Sequence, residues 1–280
     1  MMSDMSPLAE RCEIFHQLHR TGCFVIPNPW DAGSARVLAQ LGFPALATTS
    51  SGFAWSLGRC DNHVSLEEAL AHFRTIAGVV HVPVNGDFEG GFAIEPEAVA
   101  ANVARAAETG LAGLSIEDST GIPSSPLFEL PLAVERIRAA RRAIDTSRTG
   151  MLLTARSEGF IVGRPDLAET VRRLAAFAEA GADCLYAPGI RTQDEIAAVV
   201  RAVAPKPVNV LVGSDFATVA DLAALGVRRI SVGGALARAA WGRFLEAARE
   251  IAERGSFTAL GRAIGFDSIN GMFADGEARR

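Results

Sequence analysis

The sequence predicts an α/β fold, a (β/α)8 TIM barrel. Three observations predict it: eight short apolar or β-branched runs recur along the 280 residues, stretches of helical periodicity separate them, and several of those stretches end in a glycine just ahead of the next run. The runs occupy residues 24–26, 45–48, 82–84, 113–116, 151–154, 183–186, 208–211 and 229–232, each bounded by turn residues as a buried strand requires. Between them, residues 32–41, 66–79, 97–109, 132–144, 167–180, 192–203, 218–225 and 235–249 carry apolar side chains at helical spacing. Leu41-Gly42, Thr109-Gly110, Ala180-Gly181 and Leu225-Gly226 close four of these helices on a residue that accepts a left-handed cap. Eight such units in roughly 250 residues suit a closed parallel barrel with crossover helices better than an open sheet.

No break in composition divides residues 1–280, so one domain is expected, with 256–280 as a helical and polar extension beyond the eighth helix. With 49% apolar residues the chain can bury a sizeable core. Its formal charge of −5 offers no positive field for nucleic acid, and no apolar run approaches the roughly 20 residues that span a bilayer. Residues 1–10 lack a basic stretch followed by an apolar one, so a soluble cytoplasmic protein is expected. Cys12, Cys23, Cys60 and Cys184 form no Cys-x-x-Cys pair and read as buried free thiols.

In a barrel of this kind the chemistry gathers where the strands end, so the polar residues just past each run are the informative ones. Thr49, Ser50 and Ser51 follow the second strand, and Asp61 and His63 lie in the loop beyond. Asp87 and Glu89 follow the third strand, Glu117 the fourth and Arg156 the fifth, while Tyr186 closes the sixth and Asn209 lies inside the seventh. Asp61, Asp87, Glu89 and Glu117 would converge on one mouth and repel one another unless a cation neutralises them. An all-oxygen donor set favours magnesium, with manganese as a substitute, whereas the alternative is ordinary caps and solvated loop charges. Arg156 is placed to bind a substrate carboxylate through two parallel hydrogen bonds, or to pair with one of these acids, or both. Backbone N–H groups at Ser50 and Ser51 could hold an anion or belong to a plain turn. Buried Asn209 needs polar partners that the mouth could supply. Tyr186 could donate a proton or pack. His63 is a weaker acid/base candidate, and His16 and His19 read as a solvated face of the first helix.

Some chemistry is disfavoured. A Schiff base needs a lysine in the mouth, but the single lysine, Lys206, precedes the seventh strand and falls at the opposite end. No dinucleotide or Walker pattern occurs. Gly213-Ser214 and Gly233-Gly234 could cradle a phosphate or simply make tight turns. Residues 119–131, without periodicity and with three prolines, have the length of a lid after the fourth strand.

The segments Asn28-Pro29-Trp30-Asp31-Ala32-Gly33-Ser34-Ala35, Asp87-Phe88-Glu89-Gly90-Gly91-Phe92, Ser115-Ile116-Glu117-Asp118, Thr154-Ala155-Arg156-Ser157-Glu158 and Val232-Gly233-Gly234 resemble the isocitrate lyase/phosphoenolpyruvate mutase superfamily, in order, from about Pro27 to Ala240. The resemblance implies a magnesium-dependent barrel whose eighth helix is swapped between the subunits of a homo-oligomer, a dimer or tetramer, and which makes or breaks C–C or C–P bonds beside an α-oxo acid through an enolate. It assigns Asp87 as direct metal ligand, with Asp61, Glu89 and Glu117 holding its waters, Arg156 to the substrate carboxylate, and the backbone at Thr49, Ser50 and Ser51 to the oxo-acid end. Glu89 stands where the family usually has aspartate. The lid departs from the family: lyases carry Lys-Lys-Cys-Gly-His there, and mutases and phosphonopyruvate hydrolases use lysine and asparagine, but Ser119-Thr120-Gly121-Ile122-Pro123-Ser124-Ser125-Pro126 has none of these.

The expected activity is therefore a magnesium-dependent lyase or decarboxylase acting on a small α-oxo or α-hydroxy mono- or dicarboxylate, with Arg156, Glu117 and Tyr186 as catalytic candidates and Thr49, Ser50, Ser51 and Asn209 binding substrate. C–P chemistry on phosphonopyruvate is one alternative, and a non-catalytic protein that binds an α-oxo acid is another.

Overall fold

A computed structural model describes residues 6–274. Helix α1 (Pro7–Arg20) starts on Ser6, whose hydroxyl accepts from Ala9 N, and leads into β1 (Phe24–Ile26). There follow α2 (Ala32–Gln40), β2 (Leu46–Ala47), α3 (Ser50–Ser56), α4 (Leu66–Val79), β3 (Val84–Asp87), α5 (Pro96–Ala107), β4 (Gly113–Glu117) and α6 (Leu130–Ser147). The second half runs β5 (Leu152–Arg156), α7 (Leu167–Glu179), β6 (Cys184–Tyr186), α8 (Gln193–Val203), β7 (Val208–Leu211), α9 (Val219–Ala224), β8 (Arg229–Ser231) and α10 (Ala235–Arg254). A 3-10 turn (Thr258–Arg262) and α11 (Phe266–Ala274) complete the described chain, so the helical part of the extension is present and its end, 275–280, lies outside the described residues.

All eight strands are parallel, and β1 pairs with β8, which pairs with β7 and so on down to β2. The seam between β1 and β2 is closed just past the strands. Ala47 N donates to Pro27 O at 3.0 Å, and Asn28 Nδ2 donates to Thr48 O at 3.0 Å. Asn28 Oδ1 also accepts from Val232 N and Gly233 N, so one side chain ties the ends of β1, β2 and β8 together.

The expected glycine caps are in place. Gly42, Gly110, Gly181 and Gly226 all have positive φ, between 85° and 104°, a region that a Cβ disfavours. At the opposite ends, capping boxes start α2 (Asp31, Ser34), α4 (Ser65, Glu68), α8 (Thr192, Glu195) and α9 (Thr218, Asp221). Two apolar clusters result. The larger fills the layer between the barrel wall and the helices. The smaller lies inside the barrel, where Cys12 and Phe15 of α1 plug the lower end against Phe24, Ile26, Ala47, Leu152 and Cys184.

Several expectations change in detail. The third, fourth and fifth strands reach further than their apolar runs, so that Asp87, Glu117 and Arg156 are the last residues of β3, β4 and β5 and not loop residues. Their register explains it: Asp87 lies opposite Ser115 and Glu117 opposite Arg156, so polar pairing continues the ladder past the apolar core. The stretch after β2 is the short helix α3, not a turn, because Thr49 caps it by accepting from Gly52 N. His19 is buried, not solvated. Its Nδ1 donates to Phe15 O at 2.7 Å, and it packs edge-on against Phe15 and Phe24. Of the cysteines, Cys12 and Cys184 are buried, Cys23 is half-buried and Cys60 is exposed.

Candidate active site

At the C-terminal ends of the strands the barrel opens into a cavity of about 280 Å³, reaching from Asp61, Asp87 and Arg156 at the rim down to Asn85, Asn209 and Arg229 inside. Arg156 is its electrostatic centre. Nη1 donates to Asp87 Oδ1 at 2.7 Å, Nε donates to Glu158 Oε1 at 2.8 Å, and Nη2 lies 3.1 Å from Glu117 Oε2. The Tyr186 ring lies beneath the guanidinium, 5.2 Å from centroid to Cζ. Burial opposes the charge on Arg156, but Glu158, Glu117 and Asp87 more than offset that cost and hold it protonated. The same burial pushes Glu117 and Glu158 upward, against the pull of Arg156.

Asp87 is the best-tied acid, as its Oδ2 accepts from Ser50 N at 3.0 Å and its own N donates to Thr48 Oγ1 at 2.8 Å. Asp61 sits on the exposed loop between α3 and α4, yet it lines the cavity, and its Oδ1 accepts from Asn62 N at 3.0 Å. Its carboxyl is raised by desolvation and by Asp87. Glu89, with φ of 45°, uses its carbonyl to accept from Glu117 N, while desolvation, Asp87 and Asp61 push its side chain up to about 8. Asp87 is thus the acid that the other three share as a neighbour: Asp61 lines the cavity with it, while Glu89 and Glu117 lie outside the cavity lining.

Among the described residues, no three of them come close enough to enclose an ion unaided. The donor set nevertheless fits a hydrated hard cation. Magnesium needs one or two direct carboxylates and keeps its waters, and Asp61 and Glu89 are raised by desolvation and by the neighbouring acids even though Arg156 pulls both down.

The other predicted residues fall as follows. Thr49 and Ser51 line the cavity and bond each other through their hydroxyls at 3.1 Å, while the N–H groups of Ser50 and Gly52 are taken by Asp87 and Thr49. Tyr186 is buried at the end of β6, with its ring against the Arg156 guanidinium. Desolvation carries its phenol up to about 12. Asn209 is fully buried, donating from Nδ2 to Ser231 Oγ at 2.9 Å and accepting at Oδ1 from Arg229 Nε at 2.9 Å. His63 lies outside the cavity lining, on an exposed loop. Gly233 N is used by Asn28, and a Cβ at Gly234 would stand 2.9 Å from Ser51 Oγ, so this pair packs on α3 and is no open phosphate cradle. The lid folds back on itself: Ser119 and Leu127 bridge, and Phe128 N donates to Asp118 O at 2.9 Å.

Sequence reasoning passed over Glu158, Asn28, Ser231 and Arg229. Glu158 lies two residues beyond the end of β5, and only its place beside Arg156 in the sequence signals it. Arg229, at the head of the eighth run, carries no local signal of its place inside the barrel.

The model of the phosphoenolpyruvate phosphomutase family matches residues 15–252. An uncharacterized Mycobacterium tuberculosis (H37Rv) protein is 32% identical over 267 residues, covering 95% of this chain and 98% of its own. The 2-methylisocitrate lyase of Escherichia coli K12 is 31% identical over 168 residues, 57% of this chain and 55% of the enzyme. Among solved structures, a Burkholderia cenocepacia J2315 protein described as a lyase/mutase superposes with a TM-score of 0.94 at 48% identity, over 96% of this chain and 98% of that one.

Proposed function

The chain belongs to the phosphoenolpyruvate phosphomutase family, within the isocitrate lyase/phosphoenolpyruvate mutase superfamily, and from that premise we propose that it is a magnesium-dependent lyase or decarboxylase cleaving a C–C bond of a small α-oxo or α-hydroxy acid through an enolate. The observation that carries this reading is the Arg156 guanidinium held among Asp87, Glu117 and Glu158 at the rim of a cavity sized for a small acid, with Asp61 also lining it.

Asp87, Asp61, Glu89 and Glu117 would hold magnesium, or manganese in its place. When bound, the ion supplies Lewis-acid withdrawal of electron density from substrate oxygens, which lowers the energy of an enolate. The chain's own groups do the rest. Arg156, already oriented by three carboxylates and the Tyr186 ring, presents its guanidinium to a substrate carboxylate. The first turn of α3, with Thr49, Ser50 and Ser51, faces the oxo-acid end. Tyr186, whose phenol desolvation keeps protonated at neutral pH, can hold or deliver a proton beside Arg156. The segment 119–131 brings no cysteine, lysine, histidine or asparagine, and Tyr186 on the barrel wall is the proton-handling candidate of this reading.

A panel of small oxo and hydroxy acids, incubated with magnesium and followed by NMR, tests this. A C–C cleavage product formed by the wild-type protein and lost in Asp87→Ala is expected. Inorganic phosphate released from phosphonopyruvate would instead assign C–P chemistry, and oxalate binding without turnover of any acid would leave a binding protein.

A further inference from the structure

Arg229 is an arginine buried inside the barrel with, among the described residues, no acid paired to it. It is the first residue of β8 and 3% exposed. Its Nε donates to the Asn209 amide oxygen at 2.9 Å, and its Nη1 lies 3.3 Å from His19 Nε2. Both partners are neutral. The Nδ1 of His19 must donate to the Phe15 carbonyl, so Nε2 carries the lone pair that faces Arg229. The nearby acids are committed elsewhere: Asp87, Glu117 and Glu158 to Arg156, and Asp183 to Arg141 and Leu153 N. Among the described residues Arg229 makes no ion pair and its Nη2 has no hydrogen-bond partner, yet the side chain lines the mouth cavity.

A buried cation is costly unless something pairs with it, and an amide would serve Asn209 and His19 as a donor without that cost. The charge is accounted for if an anion enters the cavity from above. The barrel register places it for that. Arg156, Tyr186, Asn209 and Arg229 are partners on four successive strands, one polar row along the wall. Because barrel strands tilt, such a row descends, by about 8 Å over three strand spacings. Arg156 ends β5 at the rim whereas Arg229 begins β8, so the row runs from mouth to floor.

We propose that Arg229 forms a second anion subsite on the floor of the cavity and selects α-oxo or α-hydroxy acids that carry a second carboxylate. This rests on the reading of the rim given above: the rim takes the oxo-acid end, and Arg229 takes the distal carboxylate in a charge-assisted hydrogen bond. Asn209 and His19 are positioning residues, which fix the guanidinium by two of its edges.

The test is calorimetric titration, with magnesium present, of chain-matched pairs: malate against 2-hydroxybutyrate, and 2-oxoglutarate against 2-oxopentanoate. In the wild-type protein at least one dicarboxylate is expected to bind about 10- to 100-fold tighter than its monocarboxylate partner. Arg229→Gln keeps a donor for Asn209 without the charge, and should collapse that ratio to about unity, while Arg229→Lys should retain part of it. Absence of a preference in the wild-type protein overturns the proposal even if neither variant folds, and so does a preference that survives in Arg229→Gln. Oxalate, titrated into the wild-type protein, tests the rim separately. If oxalate fails to bind while an Arg229-dependent preference persists, the rim reading falls and the floor subsite stands.

Discussion

Arg156 Nη1 donates to Asp87 Oδ1 at 2.7 Å, so the residue expected to bind substrate and the residue expected to ligate the metal hold each other. On the proposed reading, substrate and metal would meet charges already arranged by the protein, and would exchange protein–protein pairing for pairing to themselves.

Removing that guanidinium should leave Asp87, Glu117 and Glu158 facing one another across a buried rim. Arg156→Met is expected to lower stability by about 3–5 kcal/mol in chelator-treated protein. Saturating magnesium should restore about 2–3 kcal/mol by binding only the folded state. Urea denaturation with and without magnesium reads both effects. An unchanged midpoint for the variant without metal would contradict the assigned ion pairs.

Glu89 would give the proposed metal site a pH dependence. Its carboxyl, 4.5 in the ordinary case, is raised to about 8 by desolvation and by Asp87 and Asp61. The folded protein thus retains a proton that the unfolded chain has lost, so metal-free stability should be greatest below pH 4.5 on this account and decline as pH rises towards 8. Magnesium displaces that proton, so its apparent affinity should climb by up to about tenfold per pH unit and level off above pH 8. Titrations at several pH values, repeated in Glu89→Gln, should show the slope lost in the variant.

The parts of the site that could be read from the chain are those where local pattern and chemistry coincide. Asp87, Glu117 and Arg156 each follow an apolar run directly, so the barrel rule carries them to the rim even though the strands prove longer than the runs. The glycines at 42, 110, 181 and 226 announce helix ends because their positive φ values favour glycine. His19 and Arg229 were illegible for the opposite reason. They are 210 positions apart, and their meeting depends on α1 plugging the lower end of the barrel, which no local periodicity records. The short helix α3 was hidden in the same way, since its seven residues mix serine, glycine and aromatics and are held chiefly by the Thr49 cap and by contact with Trp30 and Ala237.

Asn28 closes the barrel seam with three hydrogen bonds to backbone groups of Thr48, Val232 and Gly233. Asn28→Ala should therefore cost about 2–4 kcal/mol, because it strands buried donors and an acceptor. Asn28→Asp keeps the acceptor for Val232 N and Gly233 N but not the donor to Thr48 O, and should cost less. Denaturation midpoints of the two variants must fall in that order if the seam is held as described.

The C-terminal helices carry a last prediction, on assembly. Helix α10 buries only Ala237, and it leaves Trp241 39%, Phe244 59% and Leu245 41% exposed, with Trp241 and Phe244 packed edge to face on each other. Beyond it, α11 returns to the barrel, where Arg36 and Gln40 of α2 donate to Phe273 O and Met272 O. An eighth helix that covers no barrel of its own while its tail is anchored is the arrangement that an exchange of helices between two copies requires, as the superfamily resemblance implies. An apolar face of this kind stays in water only at a cost. The wild-type protein is therefore expected to sediment as an oligomer, a dimer or tetramer. Phe244→Glu, which sets a charge on that face without touching the cavity, should shift it towards monomer and lower its melting temperature. A wild-type protein that sediments as a monomer, or a Phe244→Glu variant that assembles unchanged, would show that α10 is not the contact between copies.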